Sequence, residues 1–284
     1  MKKVLFICVI MVLVTTGCFD SQQAKEPSVV IDDAGREIQV SEVERIVSLA
    51  PSNTEIIAEL DQQDKLVGIT DFCNYPEDVM EIPSVGNAFE VNYEKILSLN
   101  PDLVVTMGEQ DEIVQRLEEM DIPVMVVHPT TISEVFEGIE KVAKVLQVED
   151  KGEQVISTLQ TEKQEILAEV KQSDKSVFVL LDSTALYTVG SKTFYDEIIQ
   201  HVGAKNVGDS REGYWEMSQE KLLETDPDII LYSWPPEDDI KNLPAWSEVT
   251  AVKEGNTYQI DDDTTSRPGP RIIQGLRQLH EIIN

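Results

Sequence analysis

The amino-acid sequence predicts an α/β protein made of two similar lobes with mainly parallel sheets, joined by a single long helix. Short aliphatic runs alternate with helical patterns along most of the chain, which favours parallel strands covered by helices. A segment at 92–105, "NYEKILSLNPDLVV", recurs at 218–231 as "SQEKLLETDPDIIL", 126 residues later. That offset exceeds the period of solenoid repeats and indicates two lobes of one plan.

The N-terminus, "MKKVLFICVIMVLVTTGCFD", has two lysines before an apolar run from Val4 to Val14. This pattern is typical of a secretory signal, predicted over 1–17, and the run is short for a membrane span. Small residues before Cys18 are typical of a lipobox, in which the cysteine is acylated. The alternative is an ordinary signal peptide with an incidental cysteine. The polar residues 18–28 then form a tether, so we expect an exported protein, lipid-anchored to the outer face of the cytoplasmic membrane.

The formal net charge of −30 argues against a nucleic-acid partner, whose phosphates would repel the chain. The same acidity also keeps a protein soluble or adapts it to salt. Of three cysteines, Cys8 leaves with the signal and Cys18 carries lipid, so no disulfide framework is expected. Cys73 is predicted to be a buried thiol, the alternative being a ligand of cobalt or iron.

The strands are expected to be short and buried on both faces, because they are rich in Val, Ile and Leu. "VVIDDAGREIQV" predicts a hairpin at 29–40. Helical spacing marks "NTEIIAEL", "DEIVQRLEEM" and "FYDEIIQHVG". The further predicted strands are 45–49, 66–70, 103–107, 124–128, 177–181, 229–233 and 258–260.

Residues 133–173 contain no proline, and "EQVISTLQTEKQEILAEV" carries apolar residues at helical spacing. This predicts one long helix after a shorter one, spanning about 30 Å at 1.5 Å per residue. Such a helix would act as a stiff strut; the alternative is a peripheral helix of a single domain. The expected division is an N-terminal lobe at 29–132, a connecting helical segment at 133–173 and a C-terminal lobe at 174–284.

Each copy of the repeat begins with a helix start signal. Asn92 and Ser218 are good N-caps, since a side-chain oxygen can accept amides of the first turn. Glu94 and Glu220 follow at the second helical position, where a carboxylate favours the positive end of the helix dipole. The equivalent glutamates would also fit a partner with two equivalent arginine sites, as a homodimeric membrane protein presents.

The remaining residues of the repeat are interpreted structurally. Leu97 and Leu223 are predicted to face the core of each lobe. Pro101 and Pro227 end the helix before an apolar strand.

Four stretches, "RIVSLAPSNTEIIAEL", "VGITDFCNYPEDV", "VGNAFEVNYEKILSLNPDLVV" and "TTSRPGPRIIQGLRQL", occur in order along the chain. They resemble the substrate-binding proteins of ABC importers for iron-siderophores, haem and cobalamin, and most of all the cobalamin-binding members. The resemblance covers essentially the whole mature chain and implies two lobes joined by one helix. It also implies an ABC permease dimer as partner, docked through Glu94 and Glu220.

Ligands of open α/β sheets bind beyond the carboxyl ends of the strands, so facing lobes would enclose a ligand cleft. After the first strand, Pro51, Ser52 and Asn53 would present a helix N-terminus to a ligand. Ser52 and Glu55 there form a capping-box pattern, and ordinary capping is the alternative.

Large side chains follow the other strands and would line an apolar wall for a big flat ligand, although each alone could belong to the core. They are Phe72, Tyr75, Phe89, Met107, Tyr214, Trp215 and Trp234. The resemblance implies that Phe72, Met107 and Tyr214 line a corrin pocket, with Asp263 and Arg267 as a polar pair at its edge. In the cobalamin-binding members, an aromatic residue is usual at the position of Met107 and a tryptophan at the position of Ala88. Phe89, next to Ala88, would compensate for the missing tryptophan.

The transported ligand is therefore expected to be a corrinoid, with no cofactor and no catalysis. The alternatives are a ferric siderophore or haem. A zinc or manganese binder is weaker because His128, His201 and His280 show no ligand spacing. No nucleophile elbow, P-loop or dinucleotide motif supports an enzyme such as a chelatase. The single connecting helix predicts only a small closure on binding.

Overall fold

The computed structural model describes residues 28–40, 42–87, 90–108, 111–182, 185–233 and 246–284. The predicted signal and Cys18 lie outside these ranges, as do Ala88, Phe89 and Trp234. Among the described residues, no helix has both the length and the apolar character needed to cross a membrane.

The N-terminal half opens with the predicted hairpin and continues as a four-stranded sheet. Its strands are β1 (Ser28–Ile31), β2 (Glu37–Val40), β3 (Ile46–Ser48), β4 (Leu66–Gly68), β5 (Leu103–Thr106) and β6 (Val124–Val126). Its helices are α1 (Pro51–Glu59), α2 (Tyr93–Leu99) and α3 (Asp111–Glu118), with 3₁₀ turns at Gln63–Lys65 and Glu77–Glu81. The sheet order is β4-β3-β5-β6 and every pairing in it is parallel. Strands β3, β5 and β6 are buried at every residue, as expected for strands covered on both faces.

Two consecutive helices follow, α4 (Ile132–Val145) and α5 (Glu149–Glu169). Helix α5 has 21 residues, which corresponds to about 30 Å. It packs against α4 at one end, where Gly152 allows close approach to Ala143.

The C-terminal half contains a second four-stranded parallel sheet and a small antiparallel pair. Its strands are β7 (Ser176–Leu180), β8 (Tyr187–Val189), β9 (Lys205–Asn206), β10 (Tyr214–Glu216), β11 (Ile229–Tyr232) and β12 (Thr257–Gln259). Within the described ranges its helices are α6 (Phe194–His201), α7 (Gln219–Thr225), α8 (Thr250–Glu254), α9 (Asp262–Thr265) and α10 (Ile272–Ile283), with a 3₁₀ turn at Trp246–Glu248.

The two sheets have the same topology. When the strands of each sheet are numbered in chain order, β4-β3-β5-β6 becomes 2-1-3-4. The second sheet, taken from β9 to β12, is also 2-1-3-4. The α/β fold with two similar lobes joined by a long helix is therefore confirmed, whereas the boundaries at 132 and 173 stay a prediction.

A single large apolar core runs through α5 and connects the lobes. It includes Ile57 of the first lobe, Leu159 and Ile166 of α5, and Ile198 and Leu276 of the second lobe. The predicted core positions Leu97 and Leu223 are wrong, since these side chains are 47% and 38% exposed. The preceding aliphatic residue of each helix turns inward instead.

Candidate functional site

A cavity of about 440 Å³ lies between the two lobes. The first lobe contributes the loops that follow β3, β5 and β6, and the second lobe contributes loops around β8 and β10 together with the segment after α9. The lining residues are Leu49, Ala50, Pro51, Met107, His128, Pro129, Thr130, Lys192, Thr193, Phe194, Gly213, Tyr214, Ser266 and Pro268.

The strand order explains why the cavity forms where it does. In a 2-1-3-4 sheet the connections leave strands 1 and 3 in opposite directions, which opens a crevice beyond their carboxyl ends. In the first lobe these strands are β3 and β5. Pro51 follows β3 and Met107 follows β5, and both line the cavity.

The capping box predicted for Ser52 and Glu55 is wrong. Helix α1 begins at Pro51, a residue favoured at the first helical position. Its N-cap, Ala50, has no side-chain oxygen that could accept hydrogen bonds from the amides of the first turn. Ser52 Oγ instead lies 3.6 Å from Met107 Sδ beneath the cavity wall. Asn53 is fully buried, and its side-chain amide has no hydrogen-bond partner among the described residues.

The cavity wall is mainly apolar and includes the hydroxyl-bearing residues Thr130, Thr193, Tyr214 and Ser266. Lys192 is among the lining residues, and its ammonium lies 2.7 Å from a carboxylate oxygen of Glu212. The pKa of the Tyr214 phenol is raised by burial and by the nearby Asp262 and Tyr187, so it is a neutral hydrogen-bonding group. His128 offers an imidazole from the first lobe. Such a wall suits a large ligand with an apolar face and polar edges.

The structure brings together some of the predicted site residues and separates others. Pro51, Met107 and Tyr214 line the cavity. Tyr75 lies instead against a second, polar pocket of about 270 Å³ near α5, with the Arg271 guanidinium 4.2 Å from its ring centroid.

Two further predicted aromatic residues also lie away from the cavity wall. Trp215 donates its indole N–H to the Gly208 carbonyl at 3.1 Å and packs against the core of the second lobe. Phe72 is exposed, and its carbonyl accepts from Arg267 at 3.5 Å.

The predicted polar pair, Asp263 and Arg267, forms part of an ion-pair network between the lobes. Arg267 Nη2 lies 2.6 Å from Asp263 Oδ1, and its Nη1 lies 3.2 Å from Glu55 Oε1. Arg271 donates to both oxygens of Glu55, at 3.1 and 2.7 Å. Asn74 joins both lobes by accepting from Arg267 and donating to Asp263. Glu55 belongs to the first lobe and both arginines to the second, so this network, hereafter the Glu55 network, holds the lobes together.

Sequence reasoning missed most of the small and polar lining residues. His128, Pro129 and Thr130 directly follow β6, so the strand-end rule that selected the aromatic residues would also have found them. Lys192, Thr193 and Phe194 follow β8, a short strand of the antiparallel pair that the sequence analysis did not predict.

The two copies of the repeat build the same local structure, which we call the twin units, residues 92–105 and 218–231. Asn92 accepts from the Lys95 amide and Ser218 from the Lys221 amide, as predicted. Both helices have seven residues.

The ends of the twin units also match. Asn100 and Asp226 both end their helix in the left-handed conformation, at φ 47° and 40°. The aspartates of both Pro-Asp pairs then bind the start of the neighbouring strand: Asp102 accepts from the amide of Arg45, and Asp228 from that of Ser176. Glu94 and Glu220 are exposed at equivalent positions.

No group of three or more His, Cys, Asp or Glu side chains that could hold a metal ion occurs within the described ranges. Cys73 is buried, as predicted, and its sulfur lies 3.1 Å from Thr54 Oγ1 and 3.3 Å from Thr70 Oγ1.

Comparison with known proteins identifies similar chains over most of the length. The family model described as periplasmic binding protein matches residues 46–264. An uncharacterised ABC transporter substrate-binding lipoprotein, YvrC of Bacillus subtilis, is 34% identical over 272 residues, covering 90% of this chain and 85% of that protein.

Two solved structures have the same fold. The vitamin B12-binding protein BtuF of Vibrio cholerae is 26% identical with a TM-score of 0.75, covering 84% of this chain and 96% of that one. The haem-binding protein RhuT of Roseiflexus is 26% identical with a TM-score of 0.77, covering 84% and 97%.

Proposed function

The chain belongs to the periplasmic binding protein family, and we propose that it binds a corrinoid such as cobalamin between its lobes and delivers it to an ABC permease dimer. Proteins of this family bind small ligands outside the cytoplasm and pass them to such permeases. The observation that carries the corrinoid proposal is the cavity between the lobes, whose wall is mainly apolar and includes hydroxyl groups from both lobes. The similarity to vitamin B12-binding proteins supports the same ligand.

Affinity would come mostly from burying the flat face of the ligand against the apolar wall, and the hydroxyls would set its orientation. No step of bond making or breaking is part of the proposal. Met107 and Tyr214, one from each lobe, would contact the ligand from opposite sides of the cavity.

Calorimetric titration of the purified protein with cyanocobalamin, haem and a ferric hydroxamate tests the ligand. We expect saturable one-to-one binding of cyanocobalamin, weakened at least tenfold by Met107→Lys. The control is Met80→Lys, at an exposed position outside the cavity wall. Tight binding of haem or the hydroxamate, without cyanocobalamin binding, would overturn the corrinoid assignment.

Haem is a second candidate because His128 lies in the cavity wall. A neutral imidazole is an axial ligand that haem iron accepts, and haem-binding proteins are among the structural neighbours. A haem binder would change its visible absorption spectrum on His128→Ala, whereas cyanocobalamin affinity would change little. A ferric siderophore would bind in the same cavity.

Docking to the permease is assigned to Glu94 and Glu220. Both carboxylates are exposed on equivalent helices of the two lobes, which fits a two-fold partner with arginines at matched places. Reversing both charges with Glu94→Lys and Glu220→Lys should abolish ligand uptake by cells and leave ligand affinity intact. Loss of affinity in this variant would show that the two residues serve the cavity instead.

Cys18 is proposed as the lipid attachment site that holds the protein at the membrane. Labelled palmitate should be incorporated by the full chain and not by Cys18→Ser, which should be released into the medium. Retention of the unlabelled variant at the membrane would contradict the anchor.

A further inference from the structure

The outward faces of the twin units carry the same pair of side chains. Leu97 and Leu223 occupy matched positions, 126 residues apart, and both are exposed, at 47% and 38%. Each stands three residues after the docking glutamate of its unit, and residues at that spacing are neighbours on a helix surface. Each lobe therefore presents a carboxylate and a leucine side by side.

Core packing does not account for these leucines. The adjacent Ile96 and Leu222 fill the inward positions and are buried, at 0% and 1% exposed. A single exposed leucine is ordinary on a soluble protein. Here two leucines are exposed at equivalent sites of units that share helix length, caps and C-terminal conformation. Their matched exposure calls for a cause that acts on both lobes.

A two-fold partner supplies such a cause. The topology places both helices alike: α2 and α7 each precede the third strand of a 2-1-3-4 parallel sheet. A helix before a parallel strand runs antiparallel to it, so its N-terminus lies at the carboxyl end of the sheet. Both glutamates, at the second residue of these helices, are therefore at the cleft end of their own lobes, and each leucine lies about one turn further along.

We propose that Leu97 and Leu223 are apolar anchors of the docking surface, each filling a socket beside a cation on one subunit of a two-fold permease. The proposal rests on the proposed function, since it adds a contact to the interface assigned to Glu94 and Glu220. The chain's acidity complements the cations. The leucines contribute affinity through burial of apolar surface, whereas the carboxylates contribute orientation and encounter rate.

The matched control is Ile31, an exposed aliphatic residue of β1 at 54% exposure. The hairpin that carries it bonds to β6, because Asp33 N donates to the Val126 carbonyl. Helix α2 lies next to β4, at the opposite edge of the same sheet. Ile31→Ser thus removes a similar side chain at the opposite edge of the sheet from helix α2.

The experiment measures binding of the full chain to purified two-fold ABC permeases of the source organism, each in lipid nanodiscs, by surface plasmon resonance. We expect Leu97→Ser and Leu223→Ser to weaken binding about fivefold each and about 25-fold together, mainly through faster dissociation. Ile31→Ser should change it less than twofold. Ligand affinity and melting temperature should be unchanged in all four variants.

The outcomes separate this inference from the proposed function. If the wild type binds and charge reversal at Glu94 and Glu220 abolishes binding while the double serine variant binds normally, the leucine inference is overturned alone. If the wild type binds none of the permeases, the proposed function and this inference both fail. If ultracentrifugation shows a dimer of the chain that the serine variants dissociate, the leucines serve self-association and the inference is overturned.

Discussion

Glu55 shows how strongly one residue can depend on distant parts of the chain. Its side chain is 2% exposed and accepts hydrogen bonds from Arg267 and Arg271, which are more than 200 residues away. The residues next to Glu55 in the sequence indicate a helix cap. They give no sign of the two distant arginines, so the local prediction was wrong. A buried carboxylate needs such partners, since charge removed from water is costly unless it is paired.

Glu55→Gln should therefore destabilise the protein by about 3 kcal/mol, because it leaves two partly buried guanidinium groups without their shared anion. Urea denaturation measures the change in the free energy of unfolding. Glu59→Gln, at the exposed last residue of α1, should change it by less than about 0.5 kcal/mol. Equal effects of both substitutions would contradict the role of the Glu55 network.

The lowered pKa of His201 predicts that the stability of the fold depends on pH. Burial lowers its pKa, and the charge of Lys163 acts in the same direction. The unfolded state, with a histidine pKa of about 6.5, then binds the proton more readily than the folded state. Stability contributed by neutral His201 is complete above that value and is lost as the pH falls below it and through the lower pKa of the folded protein.

Urea denaturation at pH 7.5 and 5.5 checks this expectation. The wild type should lose more stability on acidification than His201→Gln does. Glu197, whose carboxylate is 3.7 Å from His201, has a pKa raised chiefly by burial and is present in both proteins. Identical losses would assign the pH dependence to other groups.

At the scale of elements, the sequence predicted most strands and helices because their signals are local. The predicted strands at 45–49, 103–107 and 229–233 correspond to β3, β5 and β11, each an aliphatic run bounded by polar or turn residues. Asn92 and Ser218 cap their helices as predicted, since capping needs only the side chain and the next turn.

The inward face of a short helix was harder to predict. In "EKIL" and "EKLL" two adjacent aliphatic residues compete for the core, and seven residues make too few turns to define the period. The structure buries Ile96 and Leu222 and exposes the residues after them. Only part of the cavity lining was predicted, for a related reason. Large side chains such as Met107 stand out at the end of a strand in the sequence, whereas Thr130 and Ser266 resemble any loop residue.

The contact between α4 and α5 predicts the effect of a single methyl group. A Cβ at Gly152 would lie 2.6 Å from the Cβ of Ala143, so Gly152→Ala should force the helices apart. We expect a loss of about 1 kcal/mol in the free energy of unfolding, although alanine alone favours a helix. The double variant Gly152→Ala with Ala143→Gly should recover part of the loss, as a double-mutant cycle by urea denaturation would measure. Simple additivity would contradict the contact.

At the scale of the whole molecule, three features oppose a large change in the angle between the lobes. Helix α5 runs through a core shared by both lobes. The Glu55 network joins α1 to the segment before α10. A third link is the hydrogen bond from the Ile132 amide, at the start of α4, to Glu197 of α6 at 2.9 Å.

We therefore expect only a small closure when a ligand binds. Small-angle scattering of the full chain with and without saturating ligand should give radii of gyration that agree within about 0.5 Å, for a globular protein whose radius is near 19 Å. Glu55→Gln should widen the range of interlobe angles and increase the difference. A decrease of about 2 Å in the wild type would show a hinge that these links do not restrain.

The matched topology of the two halves has a consequence for encounter with any symmetric dimer. Because both halves carry the same helix and the same exposed side chains, either half can contact either subunit of such a dimer. Two binding orientations, rather than one, would then place the cleft over the axis of the dimer. Twice as many collisions would become productive, and the cargo would arrive over the entrance in either orientation.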